Sequence, residues 1–250
     1  MSALGAHRSL LGASAVVFAV SAITTVLWCG SMASMPGMEM PGGWRMSMAW
    51  MRMPGQSWLG AAATFIGMWS VMMVAMMLPV LVPILSRYRE GQLATLVGAG
   101  YFAVWTLCGA IVFPVGLALA EIAMRVPVVS RAMPIATGLV MLIAGILQFT
   151  AWKKRQLECC RAEPGRSLMA GAGAAWRHGL QLGRDCVHCC ASLTAVLLAI
   201  GVMDLRAMAA VTALITAERL APAGERVARG IGVVVVVCGL IQVAKATGLC

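Results

Sequence analysis

Residues 59–85 read LGAAATFIGMWSVMMVAMMLPVLVPIL, twenty-seven positions without a charged side chain. At about 1.5 Å per residue such a helix is about 40 Å long, more than the about 30 Å of bilayer hydrocarbon, so the stretch reads as a membrane-spanning helix. Outward from it, the gaps between charges give three more spans of the same kind, Leu10–Trp28, Leu93–Ala120 and Ala132–Trp152. Cys186–Met203 supplies a fifth with eighteen uncharged residues, and Gly230–Ala244, with fifteen, another. The eleven uncharged residues Ala207–Ala217 cross only if Arg206 snorkels and Glu218 with Arg219 sits at the opposite interface. The expected fold is all-α, a polytopic helical membrane protein of about seven transmembrane helices, with six as the alternative.

Composition agrees. Of 250 residues, 61% are apolar and 11% charged, and the mean hydropathy is +0.89. That excludes a water-soluble enzyme core and a disordered chain alike. The net charge of +10 in such a chain points to the lipid bilayer as partner and not to nucleic acid. Seven spans with the N-terminus inside place thirteen of the nineteen basic residues in the cytoplasm; without the short span the division is ten against nine. The expectation is a multi-pass protein of the bacterial inner (cytoplasmic) membrane with a cytoplasmic N-terminus. Its first span is read as an uncleaved anchor, because no Ala-x-Ala pattern occurs near Cys29. The chain forms a single membrane domain over residues 1–250, with an extracytoplasmic loop at 31–58 and a cytoplasmic loop at 153–185.

Sulfur is the unusual element, with nine Cys and twenty Met against three His. The outer loop holds eight methionines between Met32 and Met53, among them the pairs Met38/Met40, Met46/Met48 and Met51/Met53, and Leu, Ile and Val are absent from 31–58. A packed apolar loop would draw on those aliphatics. Thioethers are neutral, soft ligands that suit copper(I) and ignore hard cations, so metal capture is favoured over gap-filling. The loop tryptophans read as interfacial anchors. In the second span Met68, Met72, Met73, Met76 and Met77 recur at spacings of four, which stacks them in two columns on one helix face. They are either a soft-metal path or ordinary membrane-helix packing. Pro79 and Pro83 are expected to kink or loosen the end of that helix.

The third sulfur group is cytoplasmic. Cys159 and Cys160 follow the fourth span, and Cys186, His188, Cys189 and Cys190 open the fifth as DCVHCC. If that helix begins near Asp185, the three cysteines share a face with His188 to the side, and the helix start with Arg184 favours the thiolate. Thiolates from both segments would make a closed copper(I) site, with zinc as the alternative. Redox exchange at Cys186/Cys189 and simple packing are the competing readings. Cys29, Cys108, Cys238 and Cys250 read as packing. Gln148, Asp204 and Glu218 are the other polar groups near the membrane, Glu218 as an interfacial charge beside Arg219. Catalytic triads, paired carboxylates and phosphate-binding glycine loops do not occur, so metal transfer is expected ahead of catalysis.

The run GGWRMSMAWMRMPGQSWLGAAATFIGMWSVMMVAMMLP, GILQ at 145–148, Cys159–Cys160–Arg161, DCVHCC and GVMDLRAM with TAERLAPAGE together resemble one bacterial family. It is the family of predicted metal-binding integral membrane proteins numbered 2182 in the domain-of-unknown-function series, and the resemblance spans roughly residues 40–240. It implies an inner-membrane protein with a role in copper handling or chaperoning. Gln156 stands where the family usually offers a further cysteine, and His188 and Ala191 stand where it has Gly and Trp. The expected function is therefore binding of copper(I) for transfer, transport or chaperoning to a periplasmic or membrane cuproprotein. A membrane thiol or copper oxidoreductase and a metal-free scaffold are the alternatives.

Overall fold

The computed structural model describes residues 3–33, 37–52, 55–88, 90–161 and 171–248. Among these residues lie eight helices: α1 (Ala3–Ala33), α2 (Trp58–Leu85), α3 (Gly91–Arg125), α4 (Pro127–Leu147), α5 (Ala151–Arg161), α6 (Ala172–Ile200), α7 (Leu205–Leu220) and α8 (Gly224–Ala246). Between α1 and α2 lie two short antiparallel strands, β1 (Met38–Met40) and β2 (Trp44–Met46), followed by a 3-10 turn. The all-α polytopic architecture is as expected. Six helices, all but α5 and α7, are long and apolar enough to cross a membrane. Their outer faces present large aliphatics such as Leu27, Leu107 and Val128, which suits lipid contact and not water.

α7 has 16 residues, about 24 Å of helix, which is short of the hydrocarbon thickness. It starts after Met203, whose sulfur meets Cys29 near the end of α1, and it delivers Glu218 to Lys153 on α5. α8 then returns from that end, where Glu225 pairs with Lys154. Among the described residues six helices are thus long and apolar enough to cross, the number held as the alternative to seven. The two ends of α7 are called below the hairpin end and the thiol end.

Two helix pairs dominate the packing, α4 with α8 and α3 with α6. Both approach through glycines. A Cβ on Gly179 of α6 would stand 2.3 Å from the Val97 carbonyl oxygen of α3, and one on Gly145 of α4 2.9 Å from the Val236 nitrogen of α8. Small residues at such positions let helix backbones touch, which is how helices associate where lipid offers no hydrophobic drive. α2 is capped by the Ser57 side chain, which accepts from the Gly60 N–H, and it continues through Pro79 and Pro83 to Leu85. Trp69 of α2 donates its indole N–H to the Trp105 carbonyl of α3 at 2.8 Å, tying α2 to α3.

Candidate metal site

The methionine stripe of α2 points into the protein. Met68, Met72, Met73, Met76 and Met77 are all buried, none more than 4% exposed. At the thiol end Met77 reaches α6, where its Sδ lies 4.0 Å from the Cys186 Sγ, and Cys186 in turn lies 3.8 Å from Cys190. Three sulfur atoms, of Met77 on α2 and of Cys186 and Cys190 on α6, are thus in contact, and Cys189 of α6 and Cys160 of α5 are buried in the same core. Spacing of four along α6 puts Cys186 and Cys190 on one face, as the sequence pattern requires.

Charged and phenolic groups enclose these sulfurs. The Tyr101 hydroxyl of α3 donates to Cys186 Sγ at 2.8 Å, and the Arg219 guanidinium of α7 donates to the same sulfur at 2.9 Å. Arg219 also reaches the Cys160 carbonyl at 3.5 Å. Lys153, 1% exposed, pairs with Glu218 at 2.6 Å and donates to the Cys189 carbonyl at 2.6 Å. The Cys160 thiol donates to the Asp185 carbonyl at 3.2 Å. Its hydrogen bond to Cys189, and then burial, hold that thiol protonated, well above the usual thiol range.

Several expectations are corrected. α6 begins at Ala172 and not near Asp185, so Cys186 sits in mid-helix, where the helix-terminal dipole is too far away to favour its thiolate. The cation beside Cys186 is Arg219 and not Arg184, whose side chain is exposed and leans on Asp185 at 3.8 Å. His188 faces away from the cluster, exposed, with Nδ1 2.9 Å from the Arg184 carbonyl, and Cys159 is exposed while its neighbour Cys160 is buried. Glu218 is no interfacial charge, being 2% exposed and paired. Asp204 caps α7 by accepting from the Arg206 and Ala207 N–H groups. Gln148 is buried, with neither amide atom partnered among the described residues.

At the hairpin end Met38 is exposed, whereas Met40 and Met46 are buried against Ala120 and Ala123 of α3, and Met51 is half-buried beside them. The Met48 side chain, Met53 and Cys250 lie outside the described residues. Sequence reading missed Lys153, Arg219 and Tyr101. The signal for the first two was present: ionisable groups at the edges of apolar segments are costly unless paired or used. Nothing in the sequence singled out Tyr101.

Among the described residues no group of three or more His, Cys, Asp or Glu side chains is arranged to hold a metal ion, so the closed multi-thiol site is not preformed. With the thioether counted, the geometry changes. Ligand sulfurs at about 2.3 Å from a metal stand about 3.8 Å apart in tetrahedral and about 4.0 Å apart in trigonal coordination. Cys186 makes 3.8 Å to Cys190 and 4.0 Å to Met77, spacings compatible with shared ligation and equally with simple sulfur contact. The large cavity, about 780 Å³ between the hairpin and helices α3, α4, α6 and α8, is mostly aliphatic and lies away from this cluster.

A helical bundle with apolar outer faces and a buried thiol and thioether cluster defines a membrane protein suited to soft metals. The family model of PpoB2, a copper chaperone, matches residues 66–242, well over half of the chain, and the protein belongs to that copper chaperone family. No curated protein and no solved structure matches it. The matched segment contains the methionine stripe and the whole thiol cluster, and it begins after the methionine-rich loop.

Proposed function

We propose that this copper chaperone works in the bacterial inner membrane with its N-terminus and thiol end in the cytoplasm, and that its cargo is copper(I). The ion is held by Cys186, Cys190 and Met77, with Cys189 and Cys160 as the neighbouring exchange ligands. The observation that carries this reading is the buried contact of three sulfurs, in which the two S···S spacings at Cys186 are compatible with those of a soft metal's ligands. The stripe Met68, Met72, Met73, Met76 and Met77 gives the ion soft ligation along α2, toward the hairpin end and a cuproprotein acceptor there. Exposed Met38 supports a capture role for the outer loop, whereas packing accounts for Met40 and Met46. The likeness to family 2182 covers the same helices and implies the same metal role.

The test is a copper(I) competition titration of the purified protein in detergent, against a colorimetric chelator. Wild type should bind tightly. Cys186→Ser with Cys190→Ser should weaken binding by about 100-fold or more, and Met77→Leu by about tenfold, since each lost ligand costs about 1–3 kcal/mol. Unchanged affinity and stoichiometry in both variants overturns the site.

A further inference from the structure

A second group of sulfurs lies at the hairpin end, far along α2 from the thiols. A cavity of about 250 Å³ opens there, bordered by the thioethers of Met32, Met51, Met68 and Met203. They come from four separate parts of the chain: the end of α1, the segment after the hairpin, the second turn-pair of α2 and the link from α6 to α7. Beyond Met203 stands the buried thiol of Cys29, with its Sγ 3.9 Å from the Met203 Sδ.

We propose that this cavity is a second copper(I) site, built from thioethers with Cys29 at its edge and distinct from the thiol cluster. Three observations support it. The lining includes no Leu, Ile or Val, in a protein whose other surfaces and interfaces are full of them. Packing methionines fill space, yet here four of them surround a volume that stays open. Finally, Met68 belongs both to this wall and to the buried stripe of α2, so the site is continuous with the column that ends at Met77 and Cys186. Successive stripe methionines four residues apart are about 6 Å apart along the helix axis. Both the thioethers of this site and the thiol at its edge are soft donors, as at the thiol end.

The choice of metal rests on the copper reading above, so the test separates the two. Full-length protein in detergent is titrated with Ag(I), a redox-stable substitute for copper(I), as wild type, as Cys186→Ser with Cys190→Ser, and as Cys29→Ala with Met203→Leu. The thiol-end variant should retain Ag(I) binding, and adding the hairpin-end changes should remove it. In wild type, Ag(I) should slow peroxide oxidation of Met203 and Met51, followed by mass spectrometry, by about fivefold or more; this readout needs no variant that must fold. Equal oxidation with and without Ag(I), or no binding by the thiol-end variant, overturns the second site. Loss of binding in the thiol-end variant alone leaves the chaperone site standing. Binding that depends only on Cys29 and Met203 removes the thiol site and leaves this one.

Discussion

At Cys186 two donors converge on one sulfur, the Tyr101 hydroxyl and the Arg219 guanidinium, and their effect is a matter of charge. Lys153 and Glu218 cancel one another. In the proposed site Cys186 and Cys190 bind as two thiolates, and Arg219 offsets one of them, leaving a single negative charge. A monovalent ion neutralises that charge, and a divalent ion leaves a buried excess. Arg219→Gln should therefore raise the preference for Zn(II) over Ag(I) by about tenfold or more, since a unit charge a few ångströms away is worth about 1–4 kcal/mol between water and an effective dielectric of 20. Competition between the two ions on the purified variant measures it, and an unchanged ratio contradicts the charge argument. Cys159 and Cys160 differ by position alone: the first is exposed, the second buried and held protonated above the usual range. Because the thiolate is the nucleophile, and a raised pKa keeps the thiol neutral until higher pH, iodoacetamide at pH 7–9 should label Cys159 well ahead of Cys160 in a peptide map. The sequence identified the cysteines as a group. It could not rank adjacent residues, because one helix step of about 100° decides which sulfur faces inward.

At the scale of elements, the thiol site depends on how closely α6 lies against α3. Gly179 and Gly183 of α6 pass the Val97 and Tyr101 carbonyls of α3 with no room for a side chain, and this contact brings the Tyr101 hydroxyl to Cys186. Gly179→Val should push the helices apart, costing about 1–3 kcal/mol of stability and weakening metal binding with it. Tyr101→Phe, by contrast, removes the hydrogen bond and leaves the packing, so it should change binding with a nearly unaltered melting temperature. The α5–α7 contact rests on a buried ion pair. Lys153→Met alone should destabilise by about 3–5 kcal/mol, because Glu218 is left as an unpaired buried charge, and Lys153→Met with Glu218→Met should recover most of the loss. Thermal unfolding in detergent of the two singles and the double gives the cycle; a double as unstable as the sum of the singles refutes the pairing. The stripe in α2 was legible from its spacing of four, and its inward direction follows from the fold. Spacing says which residues share a face, but only the neighbouring helices say which way the face turns.

For the whole molecule, the helices set two chemical environments along one methionine stripe, thiols with buried charges near Met77 and methionines lining a cavity near Met68. α7 is what joins them, since it carries the chain from Met203 at the hairpin end to Glu218 and Arg219 at the thiol end on a helix too short to be recognised as a span by length. The sequence by itself determined the class of fold, because apolar length and charge gaps are properties of consecutive residues, and its excess of sulfur pointed to copper. Only the tertiary structure decided that Cys160 and not Cys159 joins the cluster, that His188 stands outside it, that Arg219 and Lys153 enclose it, and that Met32, Met51, Met68 and Met203 meet. Those contacts link residues up to 174 positions apart, and they are settled by helix rotation and close glycine-mediated approach, which no local pattern along the chain encodes.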